Sequence, residues 1–372
     1  MIKSLISALV LIIFLQGCKE RYLPPNGSLA TPLLVVEANL DPSGNTTSIL
    51  LSRTTNVNDP AFIKTENNAV VTVEGKDNSV YPLVSQGNGY YNGNLSLNMN
   101  IEYRLRIKTS GKEYLSDFIK SVSNPPLDSI SWRQDNKGVR IFMNTNDPAN
   151  ATKYFRWDYM ETWEIRSYFF SDYIFQNNVM RLRNFPAENI GICWKYSPST
   201  QIFLANSAQL QSGIISQVPV VAINRGDERL FWRYSIIAKQ YALDKGGYDF
   251  FEIMKKNTED IGSFFGPLPS ELKGNIHCLS DPTEQVIGYV TSSAVTQKRI
   301  FINRVQISNW PDFTICEEFR IPNNIDSIRN AIYNSLLPIT YIPPPENKYT
   351  FANTFCVDCT SRGGSNIRPF YW

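Results

Sequence analysis

Histidine is almost missing from this sequence: His277 is the only one in 372 residues. Any catalytic triad or imidazole metal cluster would have to use it. It lies in Asn275-Ile276-His277-Cys278-Leu279 with no motif around it, so a structural role is expected. Catalytic signatures are missing too. No phosphate-binding glycine loop, HExxH, GxSxG or EF-hand spacing occurs, and nothing requires a cofactor or a metal. Charge is scarce at 19% of residues and nearly balanced at a net +2, which removes the case for nucleic acid as partner. Aromatics, by contrast, make up 13% of the chain. That mix suits an exported β protein better than a cytoplasmic α/β enzyme.

An apolar run long enough to span a bilayer is also lacking. Leu5 to Leu15 is apolar except for Ser7 and follows a basic Met1-Ile2-Lys3. As a helix it would rise about 16 Å, against a hydrocarbon core of about 30 Å. A basic start, a short apolar stretch and small residues beyond it predict a secretory signal peptide over residues 1–17. Leu15-Gln16-Gly17-Cys18 resembles the bacterial lipobox, with Gln16 departing from the small or branched residue usual there. The resemblance implies diacylglycerol on the Cys18 thiol and an acylated amino terminus, a membrane address that needs no spanning helix. Residues 18–31 read as the lipidated cysteine and a polar, proline-containing tether. Its Lys19-Glu20 start resembles a Bacteroidota surface-export signal.

Beyond the tether the chain reads as mainly β. Residues 32–123 carry short β-rich runs with turn signals every eight to twelve residues, predicting an immunoglobulin-like sandwich. Ile101, Tyr103, Leu105 and Ile107 share one strand face, and Glu102, Arg104 and Arg106 the other. Asn124-Pro125-Pro126 marks a boundary. Residues 127–372 are expected to form a larger β-rich, sandwich-like domain with one or two short helices. Strands are predicted over Phe155 to Ile165 and Leu230 to Leu243. Residues 245–260 predict a helix with Tyr248, Phe251, Ile253 and Met254 on its apolar side. A shorter helix is expected through Ile325, Ile328 and Ile332, capped by Asn323 or Asn324. The terminal Phe370-Tyr371-Trp372 is expected to pack into a sheet.

Five cysteines follow Cys18. Cys356-Val357-Asp358-Cys359 has the spacing of a zinc knuckle or a redox dithiol, but there is no second paired motif and no βαβ context. Disulfides are the default in an oxidising envelope, drawn from Cys193, Cys316, Cys356 and Cys359, with Cys278 left as the free thiol. Joining Cys316 to Cys356 or Cys359 closes a loop worth about 4 kcal/mol in chain entropy. Among acids, Glu161 stands out because it shares a strand face with Trp157, Tyr159 and Trp163. Aromatics beside a carboxylate suit a sugar site. The plainer reading makes the aromatics core and pairs Glu161 with an arginine such as Arg233. Glycoside hydrolysis would need a second carboxylate at a set separation.

Several short segments together resemble a Bacteroidota outer-membrane lipoprotein family of unknown function, DUF4249. They are Leu34-Val35-Val36-Glu37-Ala38, Tyr103-Arg104-Leu105-Arg106-Ile107, Ile192-Cys193-Trp194, Gly274-Asn275-Ile276, Val286-Ile287-Gly288-Tyr289 and the Cys356–Cys359 motif with Arg362-Gly363-Gly364. The resemblance implies a lipid-anchored protein of the outer membrane, often found alongside TonB-dependent transporters, and carries over no catalytic residue. The expectation is therefore a cell-surface accessory or ligand-binding lipoprotein. The alternatives are an assembly factor of the outer membrane without a small ligand and, remotely, a glycan-active hydrolase. Replacing Cys18 by serine is expected to move the protein from the membrane to the soluble fraction and abolish incorporation of labelled palmitate.

Overall fold

The structure, a computed structural model, describes residues 32–55, 63–259, 270–311 and 315–372. The expected signal peptide, Cys18 and the tether lie outside these residues. The fold is mainly β, with sandwich-like sheets and few short helices. Its first unit contains β1 (Leu34–Leu40), β2 (Thr46–Arg53), β3 (Lys64–Thr65), β4 (Val70–Gly75), β5 (Val80–Gly87), β6 (Tyr90–Asn94), β7 (Glu102–Thr109), β8 (Lys112–Ser116) and β9 (Ile119–Lys120). Alternation sets which side goes in. On β7, Tyr103, Leu105 and Ile107 are buried, while Arg104 and Arg106 face out and pair with Glu74 of β4.

The second unit is built from β10 (Leu127–Gln134), β11 (Gly138–Asn146), β12 (Tyr154–Arg166), β13 (Tyr173–Gln176), β14 (Val179–Leu182), β15 (Ile192–Pro198), β16 (Phe203–Asn206), β17 (Ile214–Asn224) and β18 (Arg233–Leu243). After helix α1 (Lys245–Glu259) come β19 (Ile276–Cys278), β20 (Val286–Ser292) and β21 (Thr296–Asn303). A β10-β11-β17 sheet faces a β15-β12-β18-β21 sheet. Their shared core includes Ile141, Met143, Phe155, Trp157, Ile236 and Trp310. β22 (Phe319–Pro322), β23 (Leu336–Ile342) and β24 (Lys348–Asn353) form a small third sheet beside helix α2 (Ile325–Tyr333). Strand β18 begins later than the sequence suggests. Asp227 accepts from the backbone N–H of Arg229 and caps a 3₁₀ turn over Glu228–Leu230. Helix α1 buries Tyr248 and Phe250, leaving Phe251, Ile253 and Met254 only half covered. In α2, Asn324 caps the Ser327 N–H at 2.9 Å and Ile328 is buried, whereas Ile325 stays exposed.

The first sandwich is not confined to residues 32–123. Strand order runs β19-β8-β7-β4-β5-β6-β2-β1-β20, so both ends of the path come from far later in the chain. β20 pairs in parallel with β1 over seven residues, from Leu34↔Val286 to Leu40↔Ser292. Ile276, Cys278, Val286 and Val290 complete the core that Leu34, Val36 and Leu40 begin. Without them β1 would be an open edge above exposed apolar side chains.

The two end strands meet through one side chain. Asn275 Nδ2 donates to Val290 O at 3.0 Å, and Val290 N donates to Asn275 Oδ1 at 2.8 Å. The amide thus takes the place of a backbone partner. Backbones approach so closely here that a Cβ on Gly274 would lie 1.8 Å from Gly288 O. Gly288, at φ +153°, leaves no room either, because its Cβ would meet Val36 O at 2.3 Å.

The proline boundary is fastened on both sides. Asn124 Nδ2 donates to Gln240 O at 2.8 Å and to Ala294 O at 2.7 Å, and Gln240 Nε2 donates to Pro125 O at 2.8 Å. The later crossing out of the first sandwich, Ser293 to Val295, runs alongside through a Val122↔Ser293 bridge. Asn275→Ala is expected to orphan the N–H and C=O of Val290 and cost about 2–4 kcal/mol. Urea denaturation should show a lower midpoint at unchanged slope.

Candidate functional site

Strand β12 brings Trp157, Tyr159, Glu161 and Trp163 onto one face, but that face is closed by the opposing sheet. Trp157 is 1% exposed, stacks on Phe155 at 6.0 Å between ring centroids, and donates from Nε1 to Gln240 Oε1 at 2.9 Å. Glu161 is 4% exposed, and its Oε1 accepts from Arg229 Nη1 at 2.9 Å and from the Tyr234 hydroxyl at 2.8 Å. Its cation is therefore Arg229, and Arg233 is not its partner. Arg233 lies on the other face of the sheet, over the rings of Phe301 at 4.1 Å and Trp372 at 5.2 Å. Arg229 also binds Asp227, with Nη2 2.9 Å from Oδ2.

Tyr159 packs on Phe203, and burial, reinforced by the Glu161 charge, pushes its hydroxyl up to about 12. Burial and the same carboxylate also hold Tyr234 neutral well above the ordinary phenol range. Trp163 Nε1 donates to Glu228 Oε1 at 3.3 Å, which also receives Lys195 Nζ at 2.6 Å. Glu161 Oε1, Tyr234 Oη, Trp157 Nε1 and Trp163 Nε1 are each spent on another protein atom. A carboxylate engaged by guanidinium and phenol, with Asp227 joined to it through Arg229, does not match two carboxyls flanking an open glycosidic bond.

The opposite face of this sheet carries the C-terminal tail. The Tyr371 hydroxyl is 2.8 Å from Thr162 Oγ1, and Trp372 Nε1 donates to Glu164 Oε2 at 3.1 Å. The Arg299 guanidinium sits 3.5 Å from the Tyr371 ring centroid.

The four cysteines form two disulfides, Cys193–Cys359 and Cys316–Cys356, and Cys278 is a buried free thiol. The two sulfurs of the CxxC pair thus enter different bonds, and they join neither each other nor a metal. Among the described residues no cluster of three or more His, Cys, Asp and Glu is disposed to hold a metal ion. His277 is exposed, with Nε2 3.2 Å from Asp117 Oδ1.

An open depression lies on the outer face of the β10-β11-β17 sheet. It measures about 360 Å³ and is lined by Asp128, Ser129, Ser131, Asn144, Ser216 and Gln217 among others. Irregular register makes it, with shifts between Leu127 and Ser129, Ile141 and Phe142, and Met143 and Thr145. Gln217 takes a left-handed backbone at φ +59°. Asn144 Nδ2 donates to Ser131 Oγ at 3.0 Å, while its Oδ1 accepts from Gln217 N at 2.8 Å. The sequence reading missed these residues, because outward polar side chains on a strand look like ordinary solvated surface. Gln240 had a signal, a polar residue in the buried phase of β18. Arg229 had none.

Two β units, joined where the chain passes through Asn124–Pro126 and Ser293–Val295, with two disulfides cross-linking the C-terminal part of the second, define the architecture. The chain belongs to DUF4249, a domain of unknown function, whose family model matches residues 20–299. No curated protein matches the sequence. The family match carries no catalytic assignment.

Glu161→Leu is expected to leave the buried Tyr234 hydroxyl without its acceptor and Arg229 with Asp227 alone, and to cost about 3 kcal/mol in chemical denaturation. Folded Tyr159 stays neutral toward about 12 while unfolded tyrosines ionise near 10. Its contribution to stability is complete below pH 10 and lost as the pH rises to 12. Tyr159→Phe should flatten that decline in stability measured across this range.

Proposed function

We propose that this protein is a cell-surface lipoprotein that serves as a ligand-binding accessory of a TonB-dependent outer-membrane transporter. The observation that carries this reading is where its exposed aromatics lie. Residues 167–191 and 315–372 form one lobe, tied by Phe169 N to Cys356 O at 3.0 Å and Cys359 N to Ile190 O at 2.8 Å. Of the ten large exposed aromatics among the described residues, seven belong to this lobe: Tyr168, Phe170, Phe185, Phe319, Tyr333, Phe355 and Phe370. Aromatic surface in that concentration is characteristic of protein interfaces.

Phe170 and Phe185 stack at 5.1 Å, giving the surface a rigid element. The Cys193–Cys359 bridge locks the lobe to β15 of the second sandwich, and disulfides suit an oxidising compartment outside the cytoplasm. The Cys18 lipobox supplies the anchor. No helix among the described residues is long and apolar enough to cross a membrane.

Affinity-tagged full-length protein, cross-linked in its own cells and extracted in mild detergent, is expected to bring down an outer-membrane β-barrel. A Tyr168→Ser, Phe170→Ser, Phe185→Ser variant should recover at least fivefold less. Absence of a barrel from the wild-type preparation overturns the transporter assignment, and equal recovery by the variant overturns the assignment of this surface.

A further inference from the structure

We propose that the depression on the β10-β11-β17 sheet is a binding site for a short, neutral, hydroxyl-rich ligand, a glycan segment. This deepens the ligand-binding half of the reading above and rests on that half alone, since the site lies on a different sheet from the aromatic lobe.

The case starts from the chemistry of the lining. Serine hydroxyls and primary amides each donate and accept, as sugar hydroxyls do. Ser131, Asn144 and Gln217 are set one per strand across the sheet and are already linked to each other. Asn144 Nδ2 reaches Ser131 Oγ at 3.0 Å, Gln217 Nε2 reaches the same oxygen at 3.4 Å, and Asn144 Oδ1 takes the Gln217 N–H at 2.8 Å. Arg133 donates from Nη2 to Gln217 Oε1. The side chains are thereby oriented before anything binds, which lowers the ordering cost of binding.

Backbone geometry points the same way. A regular three-stranded sheet would present a flat face here. Three register shifts hollow it, and Gln217 occupies a conformation that a β-carbon disfavours, at φ +59°. Strain held at an exposed concavity, with its polar groups networked, is the pattern of a functional site.

Other ligand classes fit less well. An anion would meet the Asp128 carboxylate, while the Arg133 guanidinium is engaged by Gln217 and lies 5.2 Å from the Phe142 ring centroid. A peptide adding as a strand needs a free sheet edge, and this site crosses the sheet face. Ile214 and Ile215 also line the depression and offer an apolar patch that a sugar-ring face can cover, whereas a wholly apolar ligand would strand the hydroxyls and amides. At about 360 Å³ the depression is at the small end for ligand clefts and open to solvent, which suits a few residues of a longer chain.

The test uses full-length protein in a sugar-free detergent and saturation-transfer NMR against neutral gluco-, xylo- and manno-oligosaccharides. An acidic galacturonate oligomer and an uncharged peptide serve as comparators. At least one neutral oligosaccharide is expected to bind saturably, and neither comparator should. Gln217→Gly removes the amide yet relieves the left-handed backbone, so it is expected to fold at least as stably and to bind at least tenfold more weakly. Ser131→Ala should weaken binding in the same direction. Barrel co-purification should be unchanged in both variants, so this test and that of the transporter reading fail separately. No saturable neutral sugar, undiminished binding by Gln217→Gly, or preferred binding of a comparator overturns the proposal.

Discussion

A sheet that rolls up on itself must satisfy the backbone groups of its last two strands where they come together. In the first sandwich that requirement falls on the Asn275 carboxamide, which presents one acceptor and one donor to Val290 in place of a strand residue. Everything nearby follows from bringing β19 and β20 into that position. Gly274 is a glycine because a Cβ there would strike Gly288 O, and Gly288 because its own Cβ would strike Val36 O of β1. The closure also explains why the first sandwich cannot be complete at residue 123: its final strands arrive only after the chain has built most of the second sandwich and returned.

Buried amides and ions repeat the theme in the second sandwich. Gln240 is fully buried and joins Trp157 to the Asn124–Pro125 crossing, so the core and the junction share one hydrogen-bond network. Glu161, Arg229, Tyr234 and Asp227 form another, whose cost of desolvation is offset only because every partner is in place. These groups hold the sheets together. The aromatic lobe and the hollowed outer sheet, the two surfaces proposed to meet other molecules, share no residue with either network.

Period-two alternation made much of the fold legible: β7, β12 and most of β18 lie where their apolar residues recur, and the four bridged cysteines are those the sequence offered for disulfides. Long-range pairing was hidden, because nothing local in Val286–Ser292 says that its neighbour is Leu34–Leu40. Glu161 illustrates the other difficulty. Its strand face was readable, but whether aromatics on a face form a platform or a core depends on the opposing sheet, and its arginine lies 68 residues away in a turn. The outer depression was invisible because it arises from bulges, which shift register without a distinctive residue.

The parallel pairing of β1 with β20 has a mechanical consequence. The chain enters the first sandwich at the start of β1 and leaves β20 for the second sandwich at Ser292, and in a parallel pair those two points lie at opposite ends. A pull between them loads the whole seven-residue ladder in shear, all bonds together, where an antiparallel edge loaded at one end would unzip them in turn. A load entering at the start of β1 would thus be shared by the whole seam instead of falling on one end of it.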